Sequence, residues 1–279
     1  MFPERLFPII GTVKAVPKTC ALLISTYNWP EALKLVLKSV KQQTRLPDEV
    51  IIADDGSGEA TRELIREFQK DFPCPLIHVW HEDDGFRKCL IWNKALTRCN
   101  SDYIVQIDGD CVLSPCFIED HLENARDGWF TCGSRTLLTP ERTNQVLTAE
   151  IAQLTPFSRG VCNKFNAFRI PVLTRFFRER YRRKKPYISK GCNMGFWLKD
   201  LLAVNGYNES ISGWGREDAE IEVRLMKLGI RRQSLKFGGA QYHLFHKEND
   251  RSRDAKNIEI LNQALASSEF WTPHGIVKK

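Results

Sequence analysis

Tyr103-Ile104-Val105-Gln106-Ile107-Asp108-Gly109-Asp110 is a mostly apolar run that stops on two carboxylates one residue apart. A run this short, with β-branched and aromatic residues, reads as a buried strand. Two acids at a strand end can hold a hard divalent cation and a diphosphate bridged by it. Taken alone, Asp-Gly-Asp also reads as a solvated turn, because Asp and Gly are common turn residues. The same arrangement of strand and polar end recurs three times upstream. Cys20-Ala21-Leu22-Leu23-Ile24 leads into Ser25-Thr26-Tyr27-Asn28, Val50-Ile51-Ile52-Ala53 into Asp54-Asp55-Gly56-Ser57, and Leu76-Ile77-His78-Val79-Trp80 into His81-Glu82-Asp83-Asp84. Helical patterns fill the gaps. Pro30 sits at a first-turn position before a face of Ala32, Leu33, Val36, Leu37 and Val40, and further helices are expected over 59–70 and 86–99. Alternation of helices with continuous apolar strands predicts an α/β fold with a mostly parallel central sheet flanked by helices. Such sheets bind ligands beyond the carboxyl ends of their strands, where all four polar clusters fall.

Past Asp110 the rhythm loosens. A helix is expected from Ser114 and Pro115 to Asn124, and residues 134–190 read as irregular. Cys192 to Trp197 is strand-like, and a short helix from Lys199 to Val204 ends at Asn205-Gly206. Gly213-Trp214-Gly215-Arg216 is a glycine-flanked turn opening a helix that begins with Glu217-Asp218 and stops at Gly229. The tail carries an amphipathic helix over about 255–266. With no internal repeat and no low-complexity linker, the expectation is an irregular lead-in over 1–18 and one domain over 19–279. Within that domain, 134–190 reads as an irregular basic insertion between 19–133 and 191–279, which the resemblance given below makes the nucleotide-binding part and the acceptor and metal-binding part.

The composition, 42% apolar and 27% charged with a formal net charge of +7, is that of an ordinary globular protein. No stretch approaches the ~20 apolar residues of a membrane span, and the start lacks the order of a secretory signal. The nine cysteines are scattered without a Cys-x-x-Cys pair, which argues against a zinc knuckle and for reduced thiols in a cytosolic setting. The charge concentrates between Arg175 and Lys185, where seven basic residues accompany one acid and are interleaved with Phe176, Phe177 and Tyr181. That mixture reads either as a solvated face or as a patch for an anionic membrane surface. Cytoplasmic residence, peripheral at the inner face of the membrane, is the expectation, and no nucleic acid is expected as a partner.

These motifs, in this order and spacing, resemble the inverting family 2 glycosyltransferases. The last third also resembles β-1,4-galactosyltransferases and chondroitin-type polymerases. The resemblance runs from about Thr19 to about Asp250 and implies the nucleotide-binding sandwich called GT-A. It implies that Thr26-Tyr27-Asn28 lines the nucleotide pocket and that Asp54-Asp55 reads a uracil ring, a carboxylate accepting from the ring N–H. An Asx-turn closing a strand is the alternative for that acidic pair. Arg87, Lys88 and Asn93 match a glycine-basic-Asn helix start facing the diphosphate. Two cations at a helix N-terminus oppose its dipole and so call for a functional account. Asp110 would bind Mn²⁺ or Mg²⁺, with Asp108 on ribose or metal-bound water. Asn193 and Met194 would wall the donor sugar, although a buried strand explains that stretch equally well. Trp214 would stack on a sugar, Asp218 would act as general base, and Glu217 would hold sugar hydroxyls. His243 and His246 match a late metal-ligand segment, nitrogen ligands beside carboxylates favouring Mn²⁺. A partly buried, satisfied histidine is the alternative for either one alone.

The sequence therefore points to a metal-dependent inverting glycosyltransferase moving a sugar from a UDP-sugar to a glycan or lipid-linked acceptor in bacterial surface polysaccharide or lipopolysaccharide synthesis. Two rivals remain at this stage: a nucleotidyltransferase of similar sheet architecture, and a non-catalytic protein binding anionic surfaces through residues 175–185.

Overall fold

The computed structural model describes residues 16–181, 187, 190–247 and 250–278. The expected lead-in over 1–18 and residues 182–185 of the basic run therefore fall wholly or largely outside the described residues. In chain order the elements are β1 (Cys20–Thr26), α1 (Pro30–Lys41), β2 (Glu49–Asp54), α2 (Glu59–Gln69), β3 (Leu76–Trp80), α3 (Lys88–Leu96), β4 (Tyr103–Asp108), β5 (Cys111–Leu113) and α4 (Phe117–Asn124). They continue with β6 (Trp129–Cys132), β7 (Thr136–Leu138), α5 (Pro140–Thr148), β8 (Val161–Cys162), α6 (Pro171–Phe177), β9 (Met194–Trp197), α7 (Leu198–Ala203), α8 (Glu217–Lys227), β10 (Arg231–Ser234), β11 (Gln241–His243) and α9 (Asp254–Ala266).

The main sheet runs β10-β6-β9-β4-β1-β2-β3. β1 pairs in parallel with β2 and β4, and β2 with β3. β9 is antiparallel to both its neighbours, β4 and β6, so the sheet is mixed through one reversed strand. Its apolar strands are sealed on both faces. Ala21, Leu23, Ile51 and Ile104 pack with Trp92, Phe196 and Tyr207 on one side, and Leu22, Ile24, Val50 and Val105 pack with Leu33, Val36 and Phe117 on the other. Burial on both faces explains why these strands read as continuous rather than alternating apolar runs.

A second, smaller sheet, β5-β11-β7-β8, corrects the expectation that 134–190 is irregular, since β7, α5, β8 and α6 all lie within it. The strands are two or three residues long, too short to show a period in sequence. Register carries the function of this sheet. β11 sets His243 opposite Cys111 of β5 and opposite Leu137 of β7, directly beside Asp110. The two sheets therefore meet where β4 ends. All nine cysteines are free thiols.

Two buried groups give the fold opposite pH dependences. Desolvation pushes His121 of α4 down to about 4, against the hydrogen bond its ring makes with Asn193. The unfolded chain binds that proton more readily, so stability is lost as pH falls from about 6.5 toward 4, by about 3 kcal/mol at ~1.4 kcal/mol per unit. Burial raises Asp200 of α7 to about 6. Here the folded chain binds the proton more readily, so a similar amount is lost as pH rises from about 4 to 6. The two offset each other in the parent. In urea unfolding, Asp200→Asn should lose stability relative to the parent as pH falls from 7 to 4, because the variant lacks the compensating Asp200 gain. Equal slopes in both proteins would contradict these assignments.

Candidate active site

A cleft of about 1060 Å³ opens beyond the carboxyl ends of β1, β2 and β4. Its walls include Thr26, Tyr27, Asp55, Arg87, Lys88, Asp108, Asp110, Arg135, Trp214, His243 and His246. Its floor is set where β1 and β4 cross closely. Gly109 N–H donates to the Ser25 carbonyl at 2.7 Å, and a Cβ on Gly109 would lie 2.9 Å from that same oxygen. Only glycine fits between the two acids, which explains the middle residue of Asp108-Gly109-Asp110.

At the end of β2 the two adjacent aspartates divide. Asp54 is fully buried, accepts from Ser57 N–H at 2.8 Å and meets the His78 ring at 2.9 Å, so it closes the turn. Asp55 faces the cleft with both oxygens steadied, one by His81 Nε2 at 2.8 Å and the other by Arg87 N–H at 2.8 Å. Burial raises its affinity for a proton, against those two bonds. Tyr27 donates to Asp83 at 2.8 Å across the mouth. Asn28, in a left-handed conformation, ties its loop to Ser57 and Gly58 instead of lining the cleft.

Lys88, the first residue of α3, turns inward. Its Nζ donates to Asp108 Oδ1 at 2.6 Å and lies 4.0 Å from Glu217 and 4.5 Å from the centre of the Trp92 ring. Burial works against its charge, but Asp108 and Glu217 outweigh it and hold the ammonium firmly protonated. The helix-start cation is thus first the counter-charge of the acids. Arg87 instead pairs at the rim with Asp84 at 2.7 Å. Asp108 also accepts from Ser25 Oγ at 2.9 Å.

Glu217 and Asp218 open α8 behind that lysine. Desolvation, then the neighbouring Asp218 charge, raises Glu217 to about 7, and its Oε2 is buried without a hydrogen-bond partner. Asp218 is likewise raised by burial, and its Oδ2 accepts from Gly191 N–H at 2.7 Å. The turn before them is left-handed at Gly213, Gly215 and Arg216, which accounts for two of its glycines. It is gripped from the tail: Arg216 forks onto Asp254 at 2.9 and 3.1 Å, and Asn257 Nδ2 donates to the carbonyls of Ser212 and Gly215 at 3.1 and 3.0 Å. This leaves Trp214 presented to the cleft, with the Arg251 guanidinium 4.8 Å from its ring centre.

The second sheet supplies the other wall. Asp110 Oδ2 lies 3.2 Å from His246 Nε2 and 3.6 Å from His243 Nε2. Burial alone would raise the Asp110 carboxyl, but the His246 bond and the two imidazoles outweigh it and hold it low. Its hydrogen bond to Asp110 raises His246, while desolvation lowers His243 with help from the Arg135 charge and against Asp110. Asp110, His243 and Cys111 each bring one ligand atom within 4.8 Å of the others. Cys111 was not anticipated as part of this cluster. Burial raises its thiol well above the ordinary value in the metal-free protein. A carboxylate flanked by two imidazoles suits Mn²⁺.

Three expected donor contacts are placed elsewhere. Asn93 is buried, its side chain pairing with both the N–H and the carbonyl of Tyr207, so it braces α3 against the segment before α8. Asn193 is fully buried, bonding His121 and the carbonyls of Ser134 and Gly239. Met194 packs in the core with Phe130 and Phe196. All three sit behind the cleft wall and hold it in shape.

The profile described as "Glycosyl transferase family 2" matches residues 21–200. The chain belongs to that family. A second profile, "N-terminal domain of galactosyltransferase", matches residues 174–247 of the transferase. It is 25% identical over 262 residues to a chondroitin synthase of Escherichia coli, covering 86% of this chain and 37% of that one. It is 24% identical over 236 residues to the validoxylamine A glucosyltransferase of Streptomyces hygroscopicus subsp. limoneus, covering 81% and 51%. The chain thus spans 37% and 51% of the length of these two relatives. Its fold matches that of a mannosyltransferase from Pyrobaculum calidifontis in complex with GDP-Man and Mn²⁺, with a TM-score of 0.60 at 15% identity over 91% of this chain and 65% of that one. GT-A architecture is therefore established, including the mixed character of the sheet. Among the described residues no helix is long and apolar enough to cross a membrane.

Proposed function

We propose that the transferase moves a sugar from a UDP-sugar onto a hydroxyl of a glycan or lipid-linked acceptor, with inversion, in the assembly of a bacterial surface polysaccharide. The observation that carries this reading is a division of labour: in the cleft a steadied base-side carboxylate (Asp55) and a carboxylate–imidazole group (Asp110, His243, His246), and behind the cleft residue Lys88 a separate acid pair (buried Glu217, half-buried Asp218) that follows the turn carrying Trp214. Asp55 accepts from the uracil ring. Asp218 takes the proton from the acceptor hydroxyl, and its bond from Gly191 N–H fixes its direction while leaving the other oxygen to act. The activated oxygen attacks the anomeric carbon on the face opposite the departing diphosphate. Trp214 offers its face to the acceptor sugar, and Glu217, with one oxygen unpartnered, holds sugar hydroxyls. Asp110, His243 and His246 would hold a divalent cation, which would supply positive charge for the leaving diphosphate.

The test is a panel of UDP- and GDP-sugars incubated with the purified chain and Mn²⁺, followed for release of the free nucleoside diphosphate. Release of pyrophosphate instead would mark nucleotidyl transfer and overturn the reading. An acceptor at a membrane surface is supported by the exposed side chains of Val172 and Phe176 on α6 next to Arg175. Changing these three to Ser, Ser and Gln should weaken binding to phosphatidylserine vesicles more than tenfold, as Arg175 alone contributes about 1 kcal/mol near such a surface. Unchanged sedimentation with vesicles would remove the membrane surface from the reading.

A further inference from the structure

The metal-side wall of the cleft holds a cation that none of the roles above uses. Arg135 immediately precedes β7, and alternation along the strand puts it on the same face as Leu137, which pairs with His243. Arg135, Leu137 and His243 all line the cleft. The Arg135 carbonyl accepts from Asn166 Nδ2 at 3.0 Å, so its backbone is held. Its Nε is sealed from solvent with no hydrogen-bond partner, and no carboxylate among the described residues pairs with it. Its cationic neighbours across the cleft are already engaged, Arg87 by Asp84 and Lys88 by Asp108. A half-buried guanidinium left without a partner incurs a desolvation cost that a bound anion would relieve.

Two anions could meet it in a nucleotide-sugar cleft, the donor's diphosphate or a carboxylate on the donor sugar. The side of the cleft decides between them. Through the pairing of β7 with β11, Arg135 shares its wall with the carboxylate–imidazole group, which on the reading above faces the diphosphate, and the acid pair is not part of that wall. A planar guanidinium matches two oxygens of a phosphate at once.

Resting on the donor reading proposed above, we infer that Arg135 is a clamp on the distal phosphate of the nucleoside diphosphate, a contact made by this side chain itself and not through the metal ligands. It remains in place as that phosphate departs, so it also stabilises the leaving group.

The experiment is isothermal titration of the parent, Arg135→Met and Arg135→Lys with uridine, UMP, UDP, UDP-glucose and UDP-glucuronate, in Mn²⁺ and again in EDTA. Circular dichroism melting confirms that each variant is folded. The expected result is a loss of roughly ten- to a hundredfold in affinity for UDP and both UDP-sugars in Arg135→Met, a smaller loss in Arg135→Lys, and no change for uridine or UMP. The loss should persist in EDTA. A loss confined to UDP-glucuronate would assign the guanidinium to a sugar carboxylate and overturn the inference. So would a loss that vanishes in EDTA, a loss shared by UMP, or none at all. A parent that binds no uridine diphosphate would instead overturn the donor reading, and the clamp with it.

Discussion

Replacing Asp218 by Asn is expected to leave nucleotide-sugar affinity within about twofold of the parent and to lower turnover by roughly two to four orders of magnitude, the usual range for losing a general base. The amide oxygen can still accept from Gly191 N–H, which Asp218 holds at 2.7 Å, so the start of α8 should keep its shape. What disappears is the ability to take a proton. Glu217→Gln should behave differently, losing affinity as well as rate, because the Glu217 carboxyl lies 4.0 Å from the Lys88 ammonium and its charge helps hold that cation beside Asp108. Steady-state kinetics on a donor and acceptor pair, with donor binding measured separately, checks both. A fully active Asp218→Asn protein would pass the role of base to Glu217.

Asp110→Ala is expected to lower turnover by roughly a thousandfold or more and to abolish the gain in UDP affinity that Mn²⁺ gives the parent, since the leaving diphosphate loses several kcal/mol of charge stabilisation. His243 and His246 would lose the carboxylate between them. Donor binding in EDTA should change little, which separates loss of the cation site from general damage. Parent-level turnover without metal in this variant would place the metal site elsewhere or remove it. With that result the sequence motif would revert to a solvated turn.

The two halves of the cleft differ in how visible they were. One half is built at the ends of β1, β2 and β4, each a run of six or seven residues whose apolar character follows from burial on both faces, next to the partly buried edge strand β3. Position alone then placed Asp55, Asp108 and Asp110 together. The second sheet was read as irregular because its strands are two or three residues long, and β10 at the edge of the main sheet is Arg-Arg-Gln-Ser, a polar sequence with no apolar run. Its strands form by pairing with distant partners, so no local signal precedes them. Arg135 went unnoticed for that reason: what matters about it is the register of β7 on β11. Asn93, Asn193 and Met194 show the converse. Their motif positions were right, but the fold spends their side chains on buried bonds and packing that support the wall. Lys88 was expected at the diphosphate and lies instead among carboxylates, because a buried cation goes first to the acids within its reach.

The grip of α9 on the Gly213-Trp214-Gly215-Arg216 turn separates two things that usually change together. The reacting carboxylates are anchored by the main sheet and by α8, whereas the turn presenting Trp214 takes its shape from a helix that supplies no chemical group to the cleft. Substitutions at Asp254 or Asn257 would therefore act first on the turn that presents Trp214, and through Arg216 on the start of α8.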